Sequence, residues 1–402
     1  MLDINKKSNA KYALIQAIFW ASIGAIFVYS SVYLLDKGFT NTRVGYVMAL
    51  GYIVSVVLPP IIGNFADKSK KMIVHRIVIS MSLLMILASA FLLSFDKTKW
   101  IVAFFFAVLV AISQSLIPFI NSLGMFFINK GLKINFGLAR AIGSLVFSLS
   151  SMLIGYLIDR FASTNFVIYM VSLVYILLII IINKFHFEEI EEVNDIDENK
   201  ENENSITYIE FFNHHRSFIA VLIGIVLVFI SYNMIGNYMF QIVNHHGHQA
   251  KEMGTIISIG GMLELPALFG LSLLLKKITS GNLMRISCFF IFVRVLFTYL
   301  AADLSGVYFA LVFQLLGFGL FSGANVYYAS DVLDEKYLVR GQALINSSMT
   351  LGAVLSSVIG GRLLDLSGVN TMLFSATVFA GLGFLIVSIF TEKTHIKNEG
   401  HD

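Results

Sequence analysis

Glu264 and Arg294 lie in the middle of long apolar runs, and Arg140 sits just inside the start of another. Charge in hydrocarbon is costly, so ionisable groups at membrane depth face a partner or a watery path and mark substrate or proton routes. A carboxylate there feels two opposed influences: loss of water favours its neutral form, and a nearby arginine favours its charged form. Poised between them, Glu264 can load a proton on the acidic side and release it on the other, with Arg294 as the partner that tunes it. The competing reading is a buried ion pair that only orders the helices.

Uncharged polar residues form candidate cavity walls. Asn233, Asn237 and Gln241 recur at i, i+4 and i+8, one face of a helix. Gln114 and Asn121 share a side of theirs, as do Gln16 and Trp20, with Tyr29 and Tyr33 further along the same run. Gln314, Asn325 and Asn346 add amides later in the chain. Amides donate and accept, and an indole stacks on the apolar face of a sugar or planar ring, so the set suits hydroxyl-rich or planar solutes. Hydrogen bonding between helices is the alternative use of such amides.

Other chemistries find little support. One cysteine, Cys288, in an apolar run excludes a disulfide framework and any multi-cysteine metal site. His245, His246 and His248 cluster, but with only Glu252 nearby no metal centre is expected. No G-x-x-x-x-G-K-[ST] loop is present, so an ion gradient rather than ATP is the expected driver. Neither a cofactor nor an enzymatic activity is expected.

The elements that must hold these residues are helices in lipid. The 402-residue chain is 57% hydrophobic and 13% charged, against roughly a quarter charged in soluble domains. Apolar runs long enough to cross a bilayer predict twelve spans: 12–35, 43–66, 73–95, 100–128, 138–159 and 165–183, then 217–242, 252–275, 283–302, 305–331, 341–364 and 370–390. Four prolines predict mostly continuous helices. The first run is too long for a signal-peptide core, lacks a cleavage site and is expected to stay as a span.

Of the 28 lysines and arginines, Lys37, Arg43, Lys97, Lys99, Arg160, Lys251 and Arg362 fall on one side and Arg294 inside a span; the rest fall on the side of the termini. The positive-inside rule therefore places both termini in the cytoplasm, in a multi-pass cytoplasmic-membrane protein. Residues 185–215, with the stretch EEIEEVNDIDENKENEN, read as an acidic linker between six-helix halves at 1–184 and 216–402. The halves echo each other: Gly155 and Asp159 end span five with the spacing of Gly361 and Asp365 at the end of span eleven. Parallel repeats of this kind can rock around a central site.

The loop Gly63-Asn-Phe-Ala-Asp67-Lys68-Ser-Lys70-Lys71 resembles the G-x-x-x-D-[RK] signature of the major facilitator superfamily. Asn135-Phe136-Gly137-Leu-Ala-Arg140-Ala-Ile-Gly143-Ser144 is similar to the F-G-x-x-R-x-x-G-S start of helix five in the branch of lactose permease and its sugar, nucleoside and phenylpropionate relatives. Val339-Arg340-Gly341-Gln342-Ala343 resembles that branch's start of helix eleven. The resemblance implies the twelve-helix, two-bundle major facilitator fold, substrate binding by Arg140, proton coupling by Arg294, and a helix-eight carboxylate about one turn from Glu264. It also implies a cytoplasmic gate at Gly63, Asp67 and Lys68. The chain departs from lactose permease in helix ten, where Gln314, Gly317, Phe318, Gly319 and Phe321 replace its histidine and glutamate. It departs again where Asn121 or Ser122 replaces the helix-four carboxylate. Galactoside specificity is therefore not implied.

Together these features predict a monomeric proton-coupled symporter that imports a small polar organic solute, a sugar or glycoside first and an organic or aromatic acid next. Its partners are that solute, protons and the bilayer, with no nucleic acid. The alternatives are a drug or metabolite exporter and a non-transporting sensor on the same fold.

Overall fold

The computed structural model describes residues 2–67, 74–129, 135–184 and 215–394. The described chain is helical. α1 (Leu2–Ile23) runs through a π-turn at Gly24–Val28 into α2 (Ser30–Asp36), and these form span one. Then come α3 (Asn41–Asp67), α4 (Val74–Ser94), α5 (Lys99–Asn129), α6 (Phe136–Phe161) and α7 (Phe166–Asn183). The second half has α8 (Arg216–Asn237), α9 (Met239–His245), α10 (Ala250–Leu275) and α11 (Ser280–Leu300). It continues through α12 (Leu304–Ala310), a 3-10 turn at Leu311–Gln314 and α13 (Phe318–Val332) to α14 (Glu335–Phe390). The acidic linker expected at 185–215 lies outside the described residues except for His215.

Among the described residues eleven helices are long and apolar enough to cross a membrane, one fewer than the apolar runs predict. The difference lies in α14. Straight, its 56 residues would reach about 84 Å, against a hydrocarbon core of about 30 Å. Gly368, at φ 79° and ψ −175°, breaks it, in a backbone region open to glycine and costly for other residues. α14 is therefore spans eleven and twelve joined at a one-glycine corner. Apolar side chains such as Leu83, Leu87, Leu149, Leu153, Leu382 and Ile389 are exposed on its outer helices, which suits lipid rather than water.

All four prolines lie inside helices that continue through them: Pro59 and Pro60 in α3, Pro118 in α5 and Pro266 in α10. The interruptions fall elsewhere, at the π-turn of span one, at Tyr238 of span seven and at residues 311–317 of span ten. Most described spans are continuous, as few prolines predict, and spans one, seven and ten are the exceptions.

The halves touch through α3 against α14 and α6 against α10. Contact is tight at the end remote from the start of α1 and the end of α14, hereafter the far end. There a Cβ on Gly45 would collide with the Ser357 carbonyl, and one on Gly155 would come within 2.6 Å of the Ala250 carbonyl. At the other end of α3, a Cβ on Gly63 would meet nothing within 4 Å among the described residues. Lys37, placed at the far end against the general charge bias, is neutralised by Asp96 at 3.2 Å and Asp36 at 3.4 Å.

Candidate functional site

The first half of the site grows from the start of α6. Asn135 caps the helix, accepting from the Leu138 amide at 2.9 Å, and its own amide donates to Asn9 Oδ1 at 2.6 Å. Asn135→Ala should cost about 1 kcal/mol of stability through the lost cap, measurable as a lower melting temperature in detergent. One turn on, the Arg140 guanidinium lies 3.6 Å from the centroid of the Trp20 ring, and its Nη1 donates to Ser144 Oγ at 2.8 Å. Gly143 makes room for the indole, since a Cβ there would sit 2.7 Å from Trp20 Cδ1. The R-x-x-G-S string is thus one mechanical unit: the arginine stacks, the glycine admits the ring and the serine fixes the fork.

Trp20 Nε1 donates to Gln16 Oε1 at 2.9 Å. Gln16 Nε2 in turn donates to the Tyr12 hydroxyl at 2.8 Å and to Asn121 Oδ1 at 3.2 Å. Three helices, α1, α5 and α6, therefore converge on one polar cluster.

The second half is built around Glu264 on α10. Its Oε1 accepts from Gln314 Nε2, which also donates to the Tyr232 hydroxyl at 3.2 Å. The break in span ten places Gln314 there, and Gly319 lets α13 close on α10, since a Cβ would lie 3.1 Å from the Cα of Glu264. Tyr232 stacks on Phe318 at 4.8 Å, and the Arg294 guanidinium lies 5.4 Å from the Tyr232 ring. Among the described residues no arginine comes within 4 Å of the Glu264 carboxylate. Arg294 is joined to it through Tyr232 and Gln314 rather than by a direct ion pair. Arg294 Nε and Gln314 Oε1 are buried without hydrogen-bond partners. Across the divide, Arg140 and Glu264 are near enough for their charges to interact.

The remaining sequence candidates scatter. Asn233 donates to the Phe229 carbonyl of its own helix at 2.8 Å, and Asn325 to the Phe321 carbonyl at 2.8 Å. Asn237 binds Ser357 Oγ at 3.1 Å and meets Tyr52 at 3.5 Å, and Gln241 donates to Asn41 Oδ1 at 2.8 Å. The face expected for Asn233, Asn237 and Gln241 is interrupted: Asn233 and Asn237 share α8, and Gln241 lies beyond the break at Tyr238. The last two serve the far-end contact instead. Gln114 is partly buried in α5. Gly63 lies near the end of α3, while Lys68 and the side chain of Asp67 lie outside the described residues. Two clefts, one lined by His245, His246, Tyr299, Asp303 and Asn370 and the other by Asp36, Asp159 and Thr164, lie at the far end, away from Arg140 and Glu264.

Tyr12, Ser144, Tyr232 and Phe318 also belong to the site; Phe318 stands in the helix-ten stretch that departs from lactose permease, and Tyr12 and Tyr232 carry no sequence signal of their own. Tyr232 directly precedes Asn233 and so lies off the amide face that the spacing marks. Ser144 was visible in the helix-five string without its role.

The arrangement of the described helices matches known folds. The structure of the nucleoside transporter NupG superposes with a TM-score of 0.77 at 12% identity, covering 95% of this chain and 98% of that one. The POT family transporter PepTSo gives 0.72 at 12% identity over 96% and 97%. A bacterial homologue of the iron transporter ferroportin, in an inward-facing state, gives 0.72 at 12% identity over 98% and 100%. No curated protein matches the sequence. A family model described as the MFS_1 like family matches residues 10–376, and the chain belongs to that family, a transporter of the major facilitator fold.

Proposed function

We propose that the chain is a proton-coupled symporter that imports a small polar organic solute by alternating access, with Glu264 as proton carrier. One observation carries this reading. Glu264 has a neutral amide as its hydrogen-bond partner, while arginines on both sides of the divide stand close without pairing to it. Such a carboxylate can change protonation state as substrate and the opposite half approach or leave. Arg294 acts on it through Gln314 and Tyr232, and the unfilled Arg294 Nε and Gln314 Oε1 are a donor and an acceptor left for ligand or water.

Arg140 stacked on Trp20, with Gln16 and Asn121 beside it, supplies a flat face and hydrogen-bonding groups. That combination supports a sugar or glycoside, with nucleosides included because they join a planar base to hydroxyls. An organic or aromatic acid comes next, since two arginines face one glutamate. The lysine and arginine distribution supports cytoplasmic termini, a far end outside the cell and halves at 1–184 and 216–402 that rock against each other. A monomer in the cytoplasmic membrane, with no nucleic-acid partner, completes the reading.

The test is proton uptake by proteoliposomes across a panel of sugars, nucleosides and aromatic acids. Solute-dependent alkalinisation outside supports symport; binding without proton flux or accumulation would mean a sensor, and flux in the opposite direction an exporter. Arg140→Lys is expected to weaken binding of the responding solute about tenfold, because an ammonium neither stacks on Trp20 as a plane nor spans to Ser144. Isothermal titration would read it.

A further inference from the structure

The repeated Gly-x-x-x-Asp at the ends of spans five and eleven has no part in the central site, yet the structure gives both copies the same surroundings. Asp365 Oδ1 accepts from the Asn41 amide at 3.1 Å and from Asn41 Nδ2 at 2.8 Å, and its Oδ2 accepts from the Thr42 amide at 2.7 Å. Asp159 Oδ2 accepts from the Lys251 amide at 2.9 Å. Each carboxylate thus sits on the first turn of a helix that belongs to the opposite half: Asp365 on α3, Asp159 on α10.

Those first turns are only partly capped from within. In α3, Thr40 Oγ1 takes the Arg43 amide, and the amides of Asn41 and Thr42 are left over. In α10, Gln249 and Glu252 form a reciprocal capping box, and the Lys251 amide is left over. Local caps serve the third helical amide in both helices, and the partner half's carboxylate serves the second. Helix N-termini carry unsatisfied N–H groups and a positive dipole end, so an aspartate there is favoured on both counts.

Two turns back from each aspartate the repeat continues. The Tyr29 hydroxyl donates to the Ser151 carbonyl, and the Tyr238 hydroxyl donates to the Ser357 carbonyl. Against these anchored tyrosines pass the bare backbones of Gly254 and Gly45 from the other half; a Cβ on either would collide with them. Tyrosine, carbonyl and glycine set the approach, and the aspartate closes it.

We propose that Asp159 and Asp365 are paired positioning residues that latch the far end shut, each acting as the missing N-cap of a helix in the opposite half. Opening the far end leaves the first-turn amides of α3 and α10 to water and separates both carboxylates from their dipoles. The two latches are unequal. Asp365 uses both oxygens on three donors, and Asp159 uses one oxygen on one donor.

The test uses the full chain in lipid nanodiscs without solute, with Cys288→Ser and spin labels at the far end of each half, at Lys97→Cys in the turn before α5 and Asn370→Cys just after the Gly368 corner of α14. Electron-electron double resonance then reads the far-end distance directly. Asp365→Ala is expected to raise the population with a long far-end distance about fivefold, the value of a lost cap, and Asp159→Ala by less. Asp365→Asn, with one carbonyl oxygen in place of two, should fall between wild type and Asp365→Ala; Asp159→Asn, which keeps an acceptor for the Lys251 amide and loses the charge, should likewise fall between wild type and Asp159→Ala. Unchanged distance distributions in both alanine variants would overturn the proposal, and so would equal effects of Asn and Ala at 159. Because no solute or proton gradient enters the measurement, its failure is distinct from failure of the symport reading.

Discussion

Glu264→Gln is expected to abolish pH-driven accumulation while leaving exchange between equal solute pools intact. Glutamine keeps the size of the side chain and can still pair with Gln314, which lies within hydrogen-bond reach of Glu264 Oε1. What it loses is the capacity to carry a proton. The ratio of internal to external solute at an imposed pH gradient should fall to about 1, the value for an uncoupled carrier, because among the described residues no second carboxylate lies deep in a span to carry the proton instead. Counterflow in the same proteoliposomes measures whether the binding site survives. Full accumulation by Glu264→Gln would remove Glu264 from the coupling mechanism.

The second large effect is steric. Gly45→Val places a Cβ against the Ser357 carbonyl and near the Tyr238 hydroxyl, at 2.9 Å. A backbone carbonyl cannot step aside as a flexible side chain can, so the cost falls on the helix crossing itself. Overpacking of a tight contact costs about 1–3 kcal/mol, enough to reduce the closed far-end population about tenfold. Transport should drop with it, and a thiol-reactive probe should reach positions between α3 and α14 faster. The same change at Gly63, where a Cβ meets nothing within 4 Å among the described residues, is expected to leave the far end unaffected. The contrast between two glycines of one helix isolates the crossing as the cause.

Apolar run length displayed the spans, because lipid imposes the same demand on every crossing segment. It could not display the corner at Gly368, since a glycine between two apolar runs is common and only its positive φ makes the turn. The helix-five string pointed to Arg140, and its physical content, a ring admitted over Gly143 and a fork held by Ser144, needed α1 to be in place. The amides were harder. Asn, Gln and their spacing look the same whether they line a cavity, back-bond to their own helix as Asn325 does, or bridge halves as Gln241 does. Periodicity also assumes an unbroken helix, and the break at Tyr238 carries no proline; Gly236, two residues earlier, is the one local sign of it. Glu264 and Arg294 stood out as charges in hydrocarbon, but their link through Gln314 and Tyr232 depends on a break in span ten that is equally unmarked by proline.

Those unmarked breaks have a mechanical meaning. Proline removes an amide for good, so a proline kink is a fixed angle. The π-turn at Gly24–Val28 and the 3-10 turn at Leu311–Gln314 retain every donor, and their hydrogen bonds can be redrawn one residue up or down the helix without loss. Such a joint, unlike a proline kink, leaves room for a change of hydrogen-bond pattern that would turn the side chains beyond it. In span ten the side chain at the joint is Gln314, so such a change would rotate it away from Glu264 and leave that carboxylate without its amide.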